Sequence, residues 1–255
     1  MKCFSLFRRD DHSWQAFGQD PDKPDRVIDT NQYLVRSGDA AILLDPGGIE
    51  VFPAMLAALT REIAVEEIKA LFLSHQDPDI GSSLPLWRRV CPPGLTVYLP
   101  WLWEGFVSHF DREATFTRIP DEGMEIALSP ALKLRLLPAH YLHSSGNFHV
   151  YDPAARILFS GDVGTALFPD GQRPNGIYVT DFARHVPAME QFHRRWMPSP
   201  AARDAWIEQV SRLEIDILAP QHGLVFRGDD VKRFLDWFAH LDLAAGLGAF
   251  RHAAA

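Results

Sequence analysis

The sequence is poor in cysteine, in long apolar runs and in positive charge. Its 255 residues include two cysteines, Cys3 and Cys91, too few for a disulfide framework or a thiolate-built zinc site. They read as one thiol near the N-terminus and one packed inside. No apolar run reaches the length of a membrane span, and MKCFSLFRRDD turns charged before a secretion-signal core can form. A cytoplasmic, non-membrane protein is therefore expected. Lys and Arg total 25 against 33 Asp and Glu, a formal charge of −8, which argues against a nucleic-acid binder with its basic face. Repeats, low-complexity tracts and an evident linker are also missing. The expectation is one domain over residues 1–255, with its core from about 31 to 240.

Hydrophobic residues make up 47% of the chain, enough for a full core. After a polar, loop-like opening to about Thr30, residues 31–37 and 40–44 read as strands around a Gly-Asp turn. The second strand stops at Asp45-Pro46-Gly47-Gly48. Helical spacing marks residues 52–65, 82–90, 100–110, 189–196, 203–213 and 229–243. Short apolar runs at 68–74, 95–99, 124–128, 132–137, 148–151, 157–160 and 215–219 read as strands. Strands mixed with amphipathic helices imply a layered α/β protein.

The chemistry-bearing residues gather just after these strands, where an α/β fold holds its loops most rigidly. His75, Asp77 and Asp79 alternate in SHQDPDI, so an extended loop points all three to one side. Pro78 biases Asp77 toward that extended form. His143, Asp162 and His222 arrive singly, in PAHYLHSSGNFHVYD, ILFSGDVG and ILAPQHG. Three imidazoles and three carboxylates suit iron, manganese or zinc, and a carboxylate such as Asp162 can bridge two metals. Taken alone, the 75–79 loop also reads as a solvated acidic turn.

These motifs resemble the metallo-β-lactamase superfamily, and within it the flavodiiron branch. The intervals are 64 residues from Asp79 to His143, 19 to Asp162 and 60 to His222. HQDPDI, HSSGNFHVYDP, LFSGDVG and APQHG are most similar to the stand-alone oxygen-binding di-iron proteins of that branch. The resemblance runs from about Asn31 to Phe238 and implies an αββα sandwich. It also implies two oxo- or hydroxo-bridged irons, the first on His75, Asp77 and His143, the second on Asp79 and His222, with Asp162 bridging. Zinc or manganese are the alternatives.

Two departures from the branch bear on function. Asp77 stands where flavodiiron enzymes have Glu, and where the superfamily's zinc hydrolases usually have His. Ile80 stands where many members have a histidine beside the second metal, leaving room there for a small ligand. The implied protein binds O2 as a sensor, receptor or carrier, or reduces O2 or NO with electrons from a separate partner. The chain runs about 33 residues beyond His222, too few for a flavodoxin-like domain, so no FMN is expected. The rival reading is a dinuclear zinc hydrolase, with a metal-bound hydroxide as its nucleophile.

Gln76, His140, His149 and Asp45 are candidates for orienting the ligands. Each also has a plain structural reading, Asp45 as a cap on backbone amides. His185 and His193, in DFARHVPAMEQFHRRWM, either cover the site or belong to an ordinary helix. A signalling partner and a homodimer remain open, the tryptophan-rich segments offering a surface for the latter.

Overall fold

The computed structural model describes residues 1–23, 26–169 and 172–243. Its strands form a seven-stranded and a six-stranded sheet among the described residues. The chain divides into two compact units, one spanning Met1–Leu136 and the other beginning at Leu137.

The first unit is built on the sheet β1 (Lys2–Arg9), β2 (His12–Gly18), β3 (Gln32–Ser37), β4 (Ala40–Leu44), β5 (Ile68–Phe72), β6 (Thr96–Pro100) and β7 (Thr117–Ile119), ordered as in the chain. The pairs from β1 to β4 are antiparallel, and those from β4 to β7 are parallel. Parallel neighbours need crossovers. Helix α1 (Phe52–Leu59) links β4 to β5, and α2 (Pro78–Gly81) with α3 (Leu84–Val90) links β5 to β6. A short helix α4 (Glu104–Val107) precedes β7, and β8 (Met124–Ser129), which pairs antiparallel with β9 (Leu132–Pro138), packs against β3 and β4.

The core of this unit gathers Leu34, Leu43, Met55, Leu71, Ile80 and Trp87 under the crossover helices. Trp87 is fully buried and meets Phe52 edge-on, with ring centroids 5.0 Å apart. Its indole N–H donates to the Pro46 carbonyl at 3.3 Å, so the core anchor also holds the turn after β4.

The loop expected up to Thr30 is in part a β-hairpin, β1 with β2. A register shift between Ser5 and Phe7 breaks the two-residue alternation of β1, hiding the strand from a periodicity reading. The helix expected over 52–65 ends at Leu59, and residues 65–67 form a separate 3-10 turn. The helix expected over 100–110 is a 3-10 turn at Trp101–Trp103 followed by α4.

In the second unit β10 (Phe148–Asp152) pairs antiparallel with β11 (Ile157–Phe159). Strand β11 runs parallel to β12 (Ile217–Ala219), which pairs with β13 (Phe226–Arg227). The crossover between β11 and β12 contains α5 (Phe182–Trp196) and α6 (Pro200–Val210), and α7 (Asp229–His240) follows β13. Their apolar faces form a core that includes Met189, Trp206, Phe226, Phe234 and Phe238. Each such fully buried side chain contributes roughly 1.5–3 kcal/mol.

Helix α5 begins at Phe182, seven residues before the start that its spacing suggested. Pro187 lies inside it and carries no amide to continue the ladder, so the sequence reads there as a boundary. Asp181 sets the true start, its side chain accepting from the Arg184 amide at 3.1 Å.

Candidate metal centre

Three of the ligand-type residues lie in the loop after β5. Strands β4 and β5 run parallel and end side by side, so Asp45 comes beside Ser74 although 29 residues separate them. Asp45 is buried and holds φ +46°, a conformation that L residues rarely adopt. Its carboxylate accepts the Ser74 amide at 2.8 Å and the Ser74 hydroxyl at 2.7 Å. That donation uses the hydroxyl's one proton, so Ser74 Oγ accepts from Nδ1–H of His75, 2.9 Å away. The chain of bonds fixes the His75 tautomer and leaves Nε2 with its lone pair, as metal ligation requires.

Nε2 of His75 lies 3.5 Å from Oδ2 of Asp77. Asp77 is extended (φ −70°, ψ +148°), as the following Pro78 demands, and Gln76 donates to its other oxygen at 2.9 Å. Asp79 is half-buried in the first turn of α2, where Gly48 packs against its Cα. Ile80 is fully buried, and its carbonyl accepts the Gly47 amide at 3.0 Å.

The second unit brings His143, Asp162 and His222 together from three loops. Asp162 follows β11 and is 2% exposed. Oδ2 faces Nε2 of His143 at 3.4 Å, and Oδ1 faces Nε2 of His222 at 3.3 Å. Two donors each about 2.1 Å from one ion, at tetrahedral to octahedral angles, are about 3.0–3.4 Å apart. Both spacings fall at this limit, so the donor set fits a carboxylate that shares one ion with each imidazole.

The backbone is bent to achieve this. His143 has φ +37° and Tyr141 φ +65°, local strain of about 1–3 kcal/mol each that surrounding contacts must offset. The Asn147 side chain donates to the Leu142 carbonyl, and Tyr141 N–H donates to the Ser144 carbonyl at 2.8 Å. After β12, Gln221 N–H donates to the Gly161 carbonyl at 2.7 Å, tying the His222 loop to the Asp162 loop. Gly223 has φ +88°, and a Cβ there would lie 2.9 Å from backbone atoms of Ala166.

Among the proposed supporting residues, Asp45 and Gln76 bond to the 74–77 loop as described. The His140 ring meets Phe148 edge-on, and Nδ1 of His149 accepts the Trp206 indole at 3.0 Å. Two other residues, Ser74 and Arg173, were not legible as site residues. Ser74 is a commonplace residue whose partner is remote in sequence. Arg173 donates to the Gly223 carbonyl at 2.9 Å, and burial lowers its pKa to about 10. His193, expected either to cover the site or to belong to an ordinary helix, accepts the Gly164 amide on Nε2 at 3.0 Å.

Comparison with known proteins agrees with this architecture. The chemotaxis sensor ODP from T. denticola, solved in its apo state, is 35% identical, covers 96% of each chain and superposes with a TM-score of 0.85. A structure of chemotaxis sensor ODP as a peroxy diiron species is 34% identical, with a TM-score of 0.83 over 96% of this chain and 97% of that one. A flavo di-iron protein mutant from Thermotoga maritima, at 20% identity, shares the fold over 93% of this chain and 61% of its own, with a TM-score of 0.78. The type A flavoprotein fprA of Rhodobacter capsulatus is 24% identical over 205 residues, which make up 77% of this chain and 45% of that protein. The chain thus spans less than half the length of this curated relative. The α/β, two-sheet organisation is the metallo-β-lactamase-like fold of these neighbours. The model of the family described as ODP family beta lactamase matches residues 28–223, and the chain belongs to that family.

Proposed function

We propose that the protein is a non-haem di-iron protein that binds O2 as a sensor or carrier. His75, Asp77 and His143 hold one iron, Asp79 and His222 the other, and Asp162 bridges them, all within a single functional domain. The observation that carries this reading is the Asp162 carboxylate, with a separate imidazole nitrogen at 3.4 and 3.3 Å from its two oxygens. The name of the similar sensor, solved as a peroxy diiron species, supports iron and O2 over zinc and hydrolysis.

Held by these residues, two iron(II) ions would supply the electrons that O2 or NO chemistry needs. The protein's own work is orientation and exclusion. Asp45 and Ser74 aim Nε2 of His75, the strained turn around His143 presents its ring, and Gly223 lets the His222 loop close against Ala166. Asp77 supplies a hard carboxylate oxygen, which favours iron or manganese. Ile80 adds no donor beside Asp79, so this chain would leave room there for a small ligand such as O2 or NO. The free thiols Cys3 and Cys91 agree with a reducing, cytoplasmic setting. Where the protein turns over O2 or NO, a separate donor supplies the electrons, and a signalling partner reads the sensor form.

Anaerobic metal analysis with optical O2 titration tests this proposal. Expected are about two irons per chain and an absorption band that bleaches on reduction and returns with air. Protein from iron-rich cells that holds only zinc, with no optical cycle, would overturn it. Sustained O2 uptake with an added reductant would favour the reductase over the sensor.

A further inference from the structure

Helix α5 touches two of the metal loops in the second unit. His193 is fully buried on it. Nδ1–H donates to the Met189 carbonyl at 2.8 Å, while Nε2 accepts the Gly164 amide at 3.0 Å. These two bonds require the neutral ring with its proton on Nδ1. Gly164 lies two residues beyond Asp162, in a tight turn where Val163 N–H donates to Ser160 at 2.9 Å and Thr165 N–H to Asp162 at 3.0 Å. It has φ +100°, and a Cβ there would sit 3.2 Å from Leu218, Pro220 and Phe226. The turn is thus packed from one side and tied by His193 through a directed bond.

The residues flanking His193 reach the neighbouring loop. The Trp196 ring meets His143 edge-on at 5.1 Å, and the Phe192 ring, stacked on Trp196, lies 6.2 Å from it. Trp196 is 50% exposed, so this contact with His143 lies at the surface of the unit.

We infer that His193 is a positioning residue for the metal centre. By fixing the Gly164 amide it sets the aim of Asp162 at His143 and His222. This rests on the di-iron reading above. It adds a requirement for a hydrogen-bond acceptor, supplied from a helix that contains none of the six proposed ligands.

The test compares His193→Gln, whose side-chain oxygen can accept the Gly164 amide, with His193→Phe, which fills the space and accepts nothing. Cobalt(II) is titrated anaerobically into metal-free protein, because its visible bands report coordination geometry. Wild type is expected to take up two ions. His193→Gln should stay within about threefold of its affinity, and His193→Phe should weaken by about 10-fold or more with altered bands, the size of effect seen when a supporting partner is lost. Thermal unfolding of the metal-free variants separates this from general destabilisation. Equal cobalt binding and band shape in wild type and His193→Phe would overturn the assignment, as would equal impairment in both variants. Should His193→Phe not fold, exchange of the Gly164 amide proton decides instead. It should be slow in wild type and His193→Gln, and exchange at the rate of an open amide in wild type would reject the role. Failure of wild type to take up two ions is a separate result, and it would sink the di-iron reading itself.

Discussion

At the scale of single residues, the proposed ligand types were legible, as were the supporting Asp45 and Gln76, but Ser74 and Arg173 were not. His75, Asp77, Asp79, His143, Asp162 and His222 announce themselves as imidazoles and carboxylates at strand ends. Ser74 does not, because its role arises only when β4 and β5 lie parallel and bring Asp45 beside it. The Asp45–Ser74–His75 chain gives a direct expectation. Asp45→Asn replaces an acceptor-only carboxylate with an amide that can donate, so the Ser74 hydroxyl is no longer committed and the His75 tautomer is released. Iron(II) or cobalt(II) affinity should fall about 10–100-fold, read by competition with a chelator. Unchanged affinity would show that His75 is held by other means.

Elements were legible where the apolar period is clean and lost where a local device interrupts it. Strands β3 to β5 and β8 to β11 fall close to their expected ranges. The β1–β2 hairpin was hidden by a bulge, and the first turns of α5 by Pro187. Helix α5 also sets a pH dependence. Burial, with a smaller effect from the His193 charge, lowers the pKa of His185 to about 4, and burial lowers that of His193 to about 4 against opposing effects of Met189 and Asp162. Unfolded, both rings titrate near 6.5. Between about 6.5 and 4 the unfolded chain therefore binds more protons than the folded one, and stability falls as pH drops through that window. Each ring contributes at most about 3 kcal/mol to the loss. Urea unfolding of metal-free protein at pH 7 and pH 5 should show the decline, and His185→Leu should flatten it. An unaltered slope in that variant would place the dependence elsewhere.

For the whole molecule, the fold class was legible because four motifs with family-like intervals span most of the chain. The seven-strand order of the first sheet was not, since strand neighbours are chosen by packing rather than by local pattern. The dispersed set of proposed ligands would also couple metal to stability. The unfolded chain scatters these residues over nearly 150 positions, from His75 to His222, so metal would bind the folded state far better. A metal at a thousand times its Kd stabilises by about 4 kcal/mol, worth on the order of 10 °C in Tm for a chain of this size. Stripping the metal with a chelator should lower Tm by that amount, and re-addition should restore it. Identical melting with and without chelator would contradict the coupling.

The joining of Asp162 to His143 and His222 has a consequence for synthesis. His222 leaves the ribosome 60 residues after Asp162, about 3–12 s later at ordinary elongation rates. Until β12 is made and set beside β11, the imidazole that faces Oδ1 of Asp162 is missing. A nascent chain therefore lacks the complete cradle, and on the proposed di-iron assignment metal would enter only after translation has passed β12. Growth in iron-starved cells should then yield intact protein that can be loaded later, rather than chains arrested partway.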